Sequence, residues 1–280
     1  MSDNILLNSK ELSRLQKEGR AVVVDCRFDL NDTGKGRRLF EQGHIPGASY
    51  AHLDHDLSSP VTAITGRHPL PATPAFAGFL SRIAWTDEHL LVAYDEGSSA
   101  FAVRLWWLMR YFGKTAAVLD GGIAAWKAAG MELETGIKPI EPTPLPPLAA
   151  DDGMTVLTGD LVHGLEDVML IDARASERFS GDVEPLDTRA GHIPGAINRP
   201  FGSNLRLNGR FRAPDELRAD FERLLGSTPA EEVVHSCGSG VTACHNLFAM
   251  ELAGFHGSKL YPGSWSEWIL DPDRPIEIGR

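Results

Sequence analysis

The sequence contains little cysteine. Three of its 280 residues are cysteines, at positions 26, 237 and 244. An odd and low number of thiols argues against a scaffold held by disulfide bridges and is typical of a reducing compartment. Long apolar runs are also missing, and the first fifteen residues, MSDNILLNSKELSRL, show no basic segment followed by an apolar one. The sequence therefore predicts a cytoplasmic protein without a secretory signal or a membrane span.

Basic residues are scarce as well. Lysine and arginine number 27 against 38 aspartate and glutamate residues, which gives a formal net charge of -11. This balance argues against nucleic acid and anionic membranes as partners, because both require a basic surface. A small anionic ligand would have to be held by local cations or by backbone N–H groups.

Four blocks of sequence occur twice, in the same order. The paired blocks are VVVDCR and MLIDAR, GHIPGA in two copies, LLVAYDEGSS and EVVHSCGSGV, and LDGGIAAW and YPGSWSEW. The second copy follows the first by 142 to 148 residues in every case. A nearly constant offset predicts an internal duplication.

A proline-rich stretch separates the two copies. The segment IKPIEPTPLPPLAADDG holds five of the chain's 18 prolines, and proline favours an extended, semi-rigid backbone. We therefore predict a first domain at residues 1–137, a linker at 138–153 and a second domain at 154–280.

Each copy has the pattern of an α/β domain. Short apolar, β-branched runs such as AVVVDCR, VMLIDAR, HLLVAYD and EEVVHSC predict buried strands. The segments TPAFAGFLSRI, PDELRADFERLL and TACHNLFAMELAG predict helices between and after them. The alternation predicts an open, mostly parallel sheet flanked by helices in each domain. Ligands of such sheets bind beyond the carboxyl ends of the strands, where Cys237 directly follows a predicted strand.

The stretch HSCGSGVTACHN predicts a reactive cysteine. Glycine at positions 238 and 240 lets the backbone curl tightly around the sulfur, and a helix starts directly afterwards. We expect the loop residues Gly238, Gly240, Val241 and Thr242 to line an anion site that stabilises the Cys237 thiolate. Such a site suits either phosphate-ester hydrolysis or a cysteine persulfide.

Position 243 separates these two chemistries. A cysteine phosphatase places an arginine six residues after its cysteine, and this chain has Ala243. The sequence therefore favours the persulfide. Cys244 lies inside the predicted helix and Cys26 at a strand end, so packing is the expected role of both, with an oxidative partnership of Cys244 and Cys237 as the alternative.

These motifs resemble the tandem-domain rhodanese family of sulfurtransferases over almost the whole chain. CGSGVTA resembles the 3-mercaptopyruvate branch, whereas the thiosulfate branch carries a loop similar to Cys-Arg-Lys-Gly-Val-Thr. The resemblance implies two rhodanese-like domains, with catalysis in the second and an inactive first. The repeat agrees, because the counterpart of Cys237 in the first copy is Asp95, and a carboxylate cannot carry a sulfane sulfur.

The resemblance also implies roles for individual residues. Ser239, His68 and Asp54 match residues proposed to relay protons, although a surface position is the alternative for His68. Arg178 matches a donor-binding arginine. A second arginine is expected nine residues later, where this chain has an aspartate. Arg189 is a candidate replacement, with a surface role as its alternative.

The implied reaction moves a sulfur from a small anionic donor, 3-mercaptopyruvate, to a thiol or cyanide through a Cys237 persulfide. It requires no metal or organic cofactor, and the acceptor thiol can belong to a small molecule or a protein. Thiosulfate is the alternative donor. A cysteine phosphatase and a non-catalytic sulfur carrier or binding module are the alternative functions.

Overall fold

The computed structural model describes residues 4–144 and 148–279, which divide into two compact α/β units. The first unit consists of the residues up to Ser59, Leu70–Asp151 and Leu207–Arg210. The second consists of Pro60–Pro69, Asp152–Arg206 and the residues from Phe211 onward. The domain boundaries at 138–153 stay a prediction. Residues 1–3 and 280 of the predicted domains, and 145–147 of the predicted linker, lie outside the described residues.

The first unit is a five-stranded sheet with helices. Its strands are β1 (Leu6–Leu7), β2 (Ala21–Asp25), β3 (Ser49–Tyr50), β4 (Leu90–Tyr94) and β5 (Ala116–Leu119). Its helices are α1 (Ser9–Lys17), α2 (Lys35–Gln42), α3 (Thr73–Arg82), α4 (Ala102–Tyr111) and α5 (Gly122–Ala128). The strand order is β1-β5-β4-β2-β3, and each of these pairings is parallel.

The second unit repeats this plan with four strands. They are β6 (Met169–Asp172), β7 (Ile197–Asn198), β8 (Val233–Ser236) and β9 (Lys259–Leu260), in the parallel order β7-β6-β8-β9. The helices are α6 (Thr158–Gly164), α7 (Ser176–Phe179), α8 (Pro214–Leu225), α9 (Ala243–Leu252) and α10 (Ser264–Trp268). Short 3₁₀ turns lie at Asp152–Met154, Leu165–Asp167, Phe201–Asn204 and Ala230–Glu232.

Both faces of the second sheet are covered. Leu170 and Val234 pack in a cluster with Trp265 and Trp268 of α10. The neighbouring strand residues Ile171 and Val233 point to the other face and pack against α8 and α9. This burial explains why β6 and β8 are apolar without alternation. In the part of the chain that the structure describes, no helix is long and apolar enough to cross a membrane.

An ion pair at a strand end recurs in both units. Arg27 pairs with Asp25 at 2.6 Å, and Arg174 pairs with Asp172 at 2.7 Å. Each guanidinium also donates a hydrogen bond of 2.8 Å to the carbonyl of the first glycine of GHIPGA. All four side chains are buried. The repeated DCR, DAR and GHIPGA motifs therefore have a structural purpose.

Candidate active site

Cys237 lies at the carboxyl end of β8, an inner strand of the second sheet. β8 ends at Ser236, and α9 begins at Ala243. Cys237 is 2% exposed, and the loop residues from Gly238 to Val241 are buried with it. The thiol thus occupies the position where open parallel sheets bind their ligands.

Helix α10 holds the loop that contains the thiol. The N–H of Trp265 donates to the carbonyl of Cys237 at 3.0 Å, and the N–H of Ser266 donates to the carbonyl of Gly238 at 2.9 Å. The N–H of Cys237 donates in turn to the hydroxyl of Ser264 at 3.0 Å. Three hydrogen bonds therefore fix the backbone on both sides of the sulfur.

Gly240 is required by the path of this loop. Its φ is +75°, and a Cβ atom at this position would lie 2.4 Å from the carbonyl oxygen of Pro262. Val241 is buried, and Thr242 is half-buried at the start of α9. The Cys244 thiol is buried in α9, and its Sγ lies 3.4 Å from the carbonyl of Gly240.

A serine lies next to the sulfur, and a histidine contacts this serine. The N–H of Ser239 donates to Cys237 Sγ at 3.5 Å. The hydroxyl of Ser239 lies 2.7 Å from Nδ1 of His68, a hydrogen bond between residues 171 positions apart. His68 is 5% exposed, so the surface alternative for this histidine is wrong.

The segment that carries His68 is docked on α10. The N–H of Gly66 donates to Glu267 Oε2 at 3.3 Å, and the N–H of Arg67 donates to Ser266 Oγ at 3.1 Å. A Cβ atom on Gly66 would lie 2.7 Å from the carbonyl oxygen of Gly263. A glycine is therefore needed for this close approach, and α10 aligns the segment with the cysteine loop.

Two guanidinium groups lie beside Gly238. A Cβ atom built on Gly238 would lie 2.8 Å from Nη2 of Arg67 and 3.4 Å from Nη1 of Arg178. Arg178 binds the carboxylate of Glu184 with its Nε and Nη2, the shortest contact being 2.7 Å, and donates to Asp187 at 3.1 Å. Arg67 pairs with the other oxygen of Asp187. The cysteine loop is thus flanked by two cations that share one carboxylate.

Burial and charge act in opposition on the two carboxylates. Burial raises the pKa of Asp187, although Arg67 and Arg178 attract its charged form. Burial also acts to raise the pKa of Glu184, but hydrogen bonds from Arg178 and from backbone N–H groups outweigh it, so this pKa is lowered. The charged form is therefore favoured at Glu184, whereas burial disfavours the charged form at Asp187.

Arg189 and Asp54 are the remaining predicted site residues. Nη1 of Arg189 lies 3.5 Å from the carbonyl of Asp271 and 3.4 Å from that of Pro272. Asp54 belongs to the first unit, where its N–H donates to Nδ1 of His52 at 3.2 Å. The second unit itself brings together the predicted thiol, serine, histidine and Arg178.

The first unit has an aspartate where the second has its thiol. Asp95 follows β4, and its carboxylate accepts hydrogen bonds from the N–H groups of Gly97, Ser99, Phe101 and Ala102 at 2.9–3.4 Å. Burial raises its pKa, while the four N–H groups favour the charged form. The backbone nest of this loop is therefore filled by the chain's own carboxylate.

Sequence reasoning missed Arg67. It stands directly before His68 in the motif GRHPLP, so its position in that motif was the available signal. The aspartate at position 187 was recognised as a departure from the family pattern. The sequence does not identify Arg67 as the partner of this aspartate, because the ion pair joins residues 120 positions apart.

A family model and several known proteins match this chain. A family model described as the rhodanese-like domain matches residues 8–129 and again 158–271. A probable 3-mercaptopyruvate sulfurtransferase of Pseudomonas aeruginosa is 46% identical over 100% of both chains. A putative thiosulfate sulfurtransferase, SseB, of Mycobacterium tuberculosis is 38% identical over 98% of this chain and 97% of its own.

A solved structure has the same fold. The 3-mercaptopyruvate sulfurtransferase from Leishmania major matches with a TM-score of 0.85 and 32% identity, covering 96% of this chain and 75% of that one. The two matched spans coincide with the two copies of the repeat. The chain therefore belongs to the rhodanese-like family, and within it to the sulfurtransferases with two domains in tandem.

Proposed function

We propose that the protein transfers sulfur from 3-mercaptopyruvate to a thiol acceptor through a persulfide on Cys237. The observation that carries this proposal is the buried thiol in a loop whose Ser239 contacts His68 and whose Gly238 lies beside two guanidinium groups. The names of the relatives from Pseudomonas aeruginosa and Leishmania major support the same donor.

The first half of the reaction forms the persulfide. The Cys237 thiolate attacks the donor's sulfur, a new S–S bond forms, and the donor's C–S bond breaks. The electron pair of that bond leaves on the carbon skeleton as the enolate of pyruvate. The transferred sulfur is oxidised to the sulfane level, and the donor carbon is reduced by the same two electrons.

Ser239 and His68 supply the proton that this enolate needs. The serine hydroxyl delivers it to carbon, and the imidazole, 2.7 Å away, restores it. The donor's thiol loses one proton when its sulfur becomes the persulfide anion, and this proton replaces the one that was delivered to carbon. We propose Asp54 as a further member of this relay.

The second half returns the enzyme to its starting state. An acceptor thiolate attacks the outer sulfur, the S–S bond breaks, and Cys237 leaves as a thiolate. In an assay cyanide serves as the acceptor and becomes thiocyanate. The cycle balances without a metal or an organic cofactor.

Thiosulfate is the second candidate donor. The relative from Mycobacterium tuberculosis is named as a putative thiosulfate sulfurtransferase, and a sulfonate also pairs with guanidinium groups. We favour mercaptopyruvate because two buried carboxylates already face the two guanidinium groups and oppose a dianion more than a monoanion. Comparison of kcat/KM for the two donors on one preparation decides between them.

The persulfide is tested by substitution of each buried thiol of the second unit. Cys237→Ser should abolish transfer, because an alcohol does not hold a sulfane sulfur. Cys244→Ser is the matched control and should retain most of the activity. Intact mass after incubation with 3-mercaptopyruvate should increase by one sulfur atom in the control and the wild type only. A sulfur gained by Cys237→Ser, or lost with Cys244→Ser, would refute the assignment.

A further inference from the structure

The guanidinium of Arg67 has donor capacity that the protein does not use. Its Nη1 binds Asp187, whereas its Nη2 has no hydrogen-bond partner among the described residues. The same holds for Nη1 of Arg178, because Nε and Nη2 make that side chain's hydrogen bonds to carboxylates. These two nitrogens are also the atoms nearest to a Cβ position on Gly238, at 2.8 and 3.4 Å.

Asp187 holds these two groups side by side. One of its oxygens binds Arg67 and the other binds Arg178. The carboxylate itself is 5% exposed, whereas the side chains of Arg67 and Arg178 are 31% and 18% exposed. A buried carboxylate thus positions two partly exposed guanidinium groups beside Gly238, the residue that follows the thiol.

The backbone of Arg67 is fixed to the same helix as the cysteine loop. Its N–H binds Ser266 of α10, and the N–H of Ser266 binds the loop at Gly238. The next residue, His68, contacts Ser239. The segment that brings the imidazole to the site therefore brings the guanidinium with it.

We propose that Arg67 binds the donor's carboxylate together with Arg178, and that Asp187 is the positioning residue for both. A carboxylate has two oxygens, each of which can accept a hydrogen bond. The two unused N–H donors, on Nη2 of Arg67 and Nη1 of Arg178, converge beside Gly238. This inference rests on the proposed function, since it assigns a ligand to the donor of that reaction.

A simpler role for Arg67 would be to neutralise Asp187. In that case Arg67→Gln would weaken donor binding only because a buried negative charge is left near the site. The double variant Arg67→Gln with Asp187→Asn separates the two roles. It removes both charges of the pair and leaves the net charge of the site unchanged, and the asparagine oxygen still accepts from Arg178.

The experiment compares steady-state kinetics with 3-mercaptopyruvate and cyanide. Loss of a charge-assisted hydrogen bond should raise KM about tenfold or more in Arg67→Gln and also in the double variant, with a smaller change in kcat. The KM of Arg67→Lys should lie between those of the wild type and Arg67→Gln, because lysine keeps the positive charge but lacks the forked pair of N–H donors. Arg206→Gln is the control, since Arg206 pairs with Glu216 on an exposed surface and should keep the wild-type KM.

Product inhibition gives a readout that does not depend on the chemical step. Pyruvate carries the same carboxylate, so its inhibition constant should rise in parallel with KM in both Arg67→Gln variants. The melting temperature of the double variant should stay close to that of the wild type, which shows that the variant is folded. A wild-type KM in the double variant would overturn the role of Arg67 in donor binding.

Different results would contradict the proposed function and the proposed role of Arg67. If the wild type forms no pyruvate from 3-mercaptopyruvate, the proposed function is wrong. If the wild type turns over this donor and Arg67→Gln leaves KM and pyruvate inhibition unchanged, only the role of Arg67 is wrong.

Discussion

His235 illustrates at the scale of one residue how burial controls charge in this protein. It lies in β8, two residues before Cys237, and is 0% exposed. Its Nδ1 has no hydrogen-bond partner among the described residues, and its Nε2 lies 3.1 Å from the sulfur of Met250. Burial, with a smaller effect of the Arg199 charge, lowers the pKa of His235 to about 3. The ring is therefore neutral in the folded protein at neutral pH.

This histidine should make the fold sensitive to mild acid. An unfolded histidine has a pKa of about 6.5, so its contribution to stability is present above that pH and is lost as the pH falls toward 3. Between about pH 5.5 and 4, the free energy of unfolding should fall more steeply in the wild type than in His235→Leu, by on the order of 1 kcal/mol per pH unit. Urea unfolding followed by tryptophan fluorescence measures both slopes, and equal slopes would contradict this account.

Residues that belong to a local motif could be predicted as neighbours from the sequence. Cys237 and Ser239 lie within one glycine loop, and the structure places His68 next to that serine. Arg67 stands in the same motif as His68, but the role that we propose for it depends on a carboxylate 120 positions away. No local pattern specifies which arginine will reach a given buried carboxylate.

At the scale of elements, the site depends on how closely the segment around Gly66 approaches α10. Gly66→Ala would place a methyl group 2.7 Å from the Gly263 carbonyl and 2.8 Å from Ser266 Oγ. The backbone would have to shift, and with it the side chains of Arg67 and His68. We expect kcat/KM for the donor to fall at least about tenfold, as small misplacements in active sites do.

A glycine in open space provides the control for this substitution. Gly159 lies in α6 of the second unit, and a Cβ atom there would meet nothing within 4 Å. Gly159→Ala should leave kcat/KM unchanged and should not lower the melting temperature, because alanine favours a helix. Equal kinetics of both variants would show that the close approach at Gly66 is unimportant for activity.

Long apolar elements could be read from the sequence, and short ones could not. Strands β2, β4, β6 and β8 and helices α3, α8 and α9 all lie within predicted segments. Strands β1, β3, β7 and β9 have two residues each, and two residues contain no periodicity to detect. Their positions depend on which longer strand they border in the folded sheet.

At the scale of the whole molecule, the duplication is visible in the topology. The order β3-β2-β4-β5 in the first unit corresponds to β7-β6-β8-β9 in the second. The first unit adds the edge strand β1, whereas the described residues of the second form a single parallel bridge, Thr155 to Leu260, at that place. The two units thus share one framework but differ at the residue after the strand, Asp95 or Cys237.

Restoring a thiol to the first unit should not create a second active site. In Asp95→Cys the four N–H groups lose their carboxylate, and the neighbouring Glu96 places a negative charge where a persulfide would form. We expect one transferable sulfur per chain in this variant, and none when Cys237→Ser is added. Two cyanolysable sulfurs per chain in Asp95→Cys would disprove this argument.

The second unit is discontinuous along the chain, since it includes Pro60–Pro69. During synthesis on the ribosome this segment emerges long before β8, the cysteine loop and α10, which are its partners. Arg67 and His68 must therefore wait until α10 has been made before they can take their places. A nascent chain that stops within the second half, or a fragment cut at the proline-rich segment, lacks the complete set of groups around its thiol. The groups around Cys237 thereby come together in chains whose translation is almost finished.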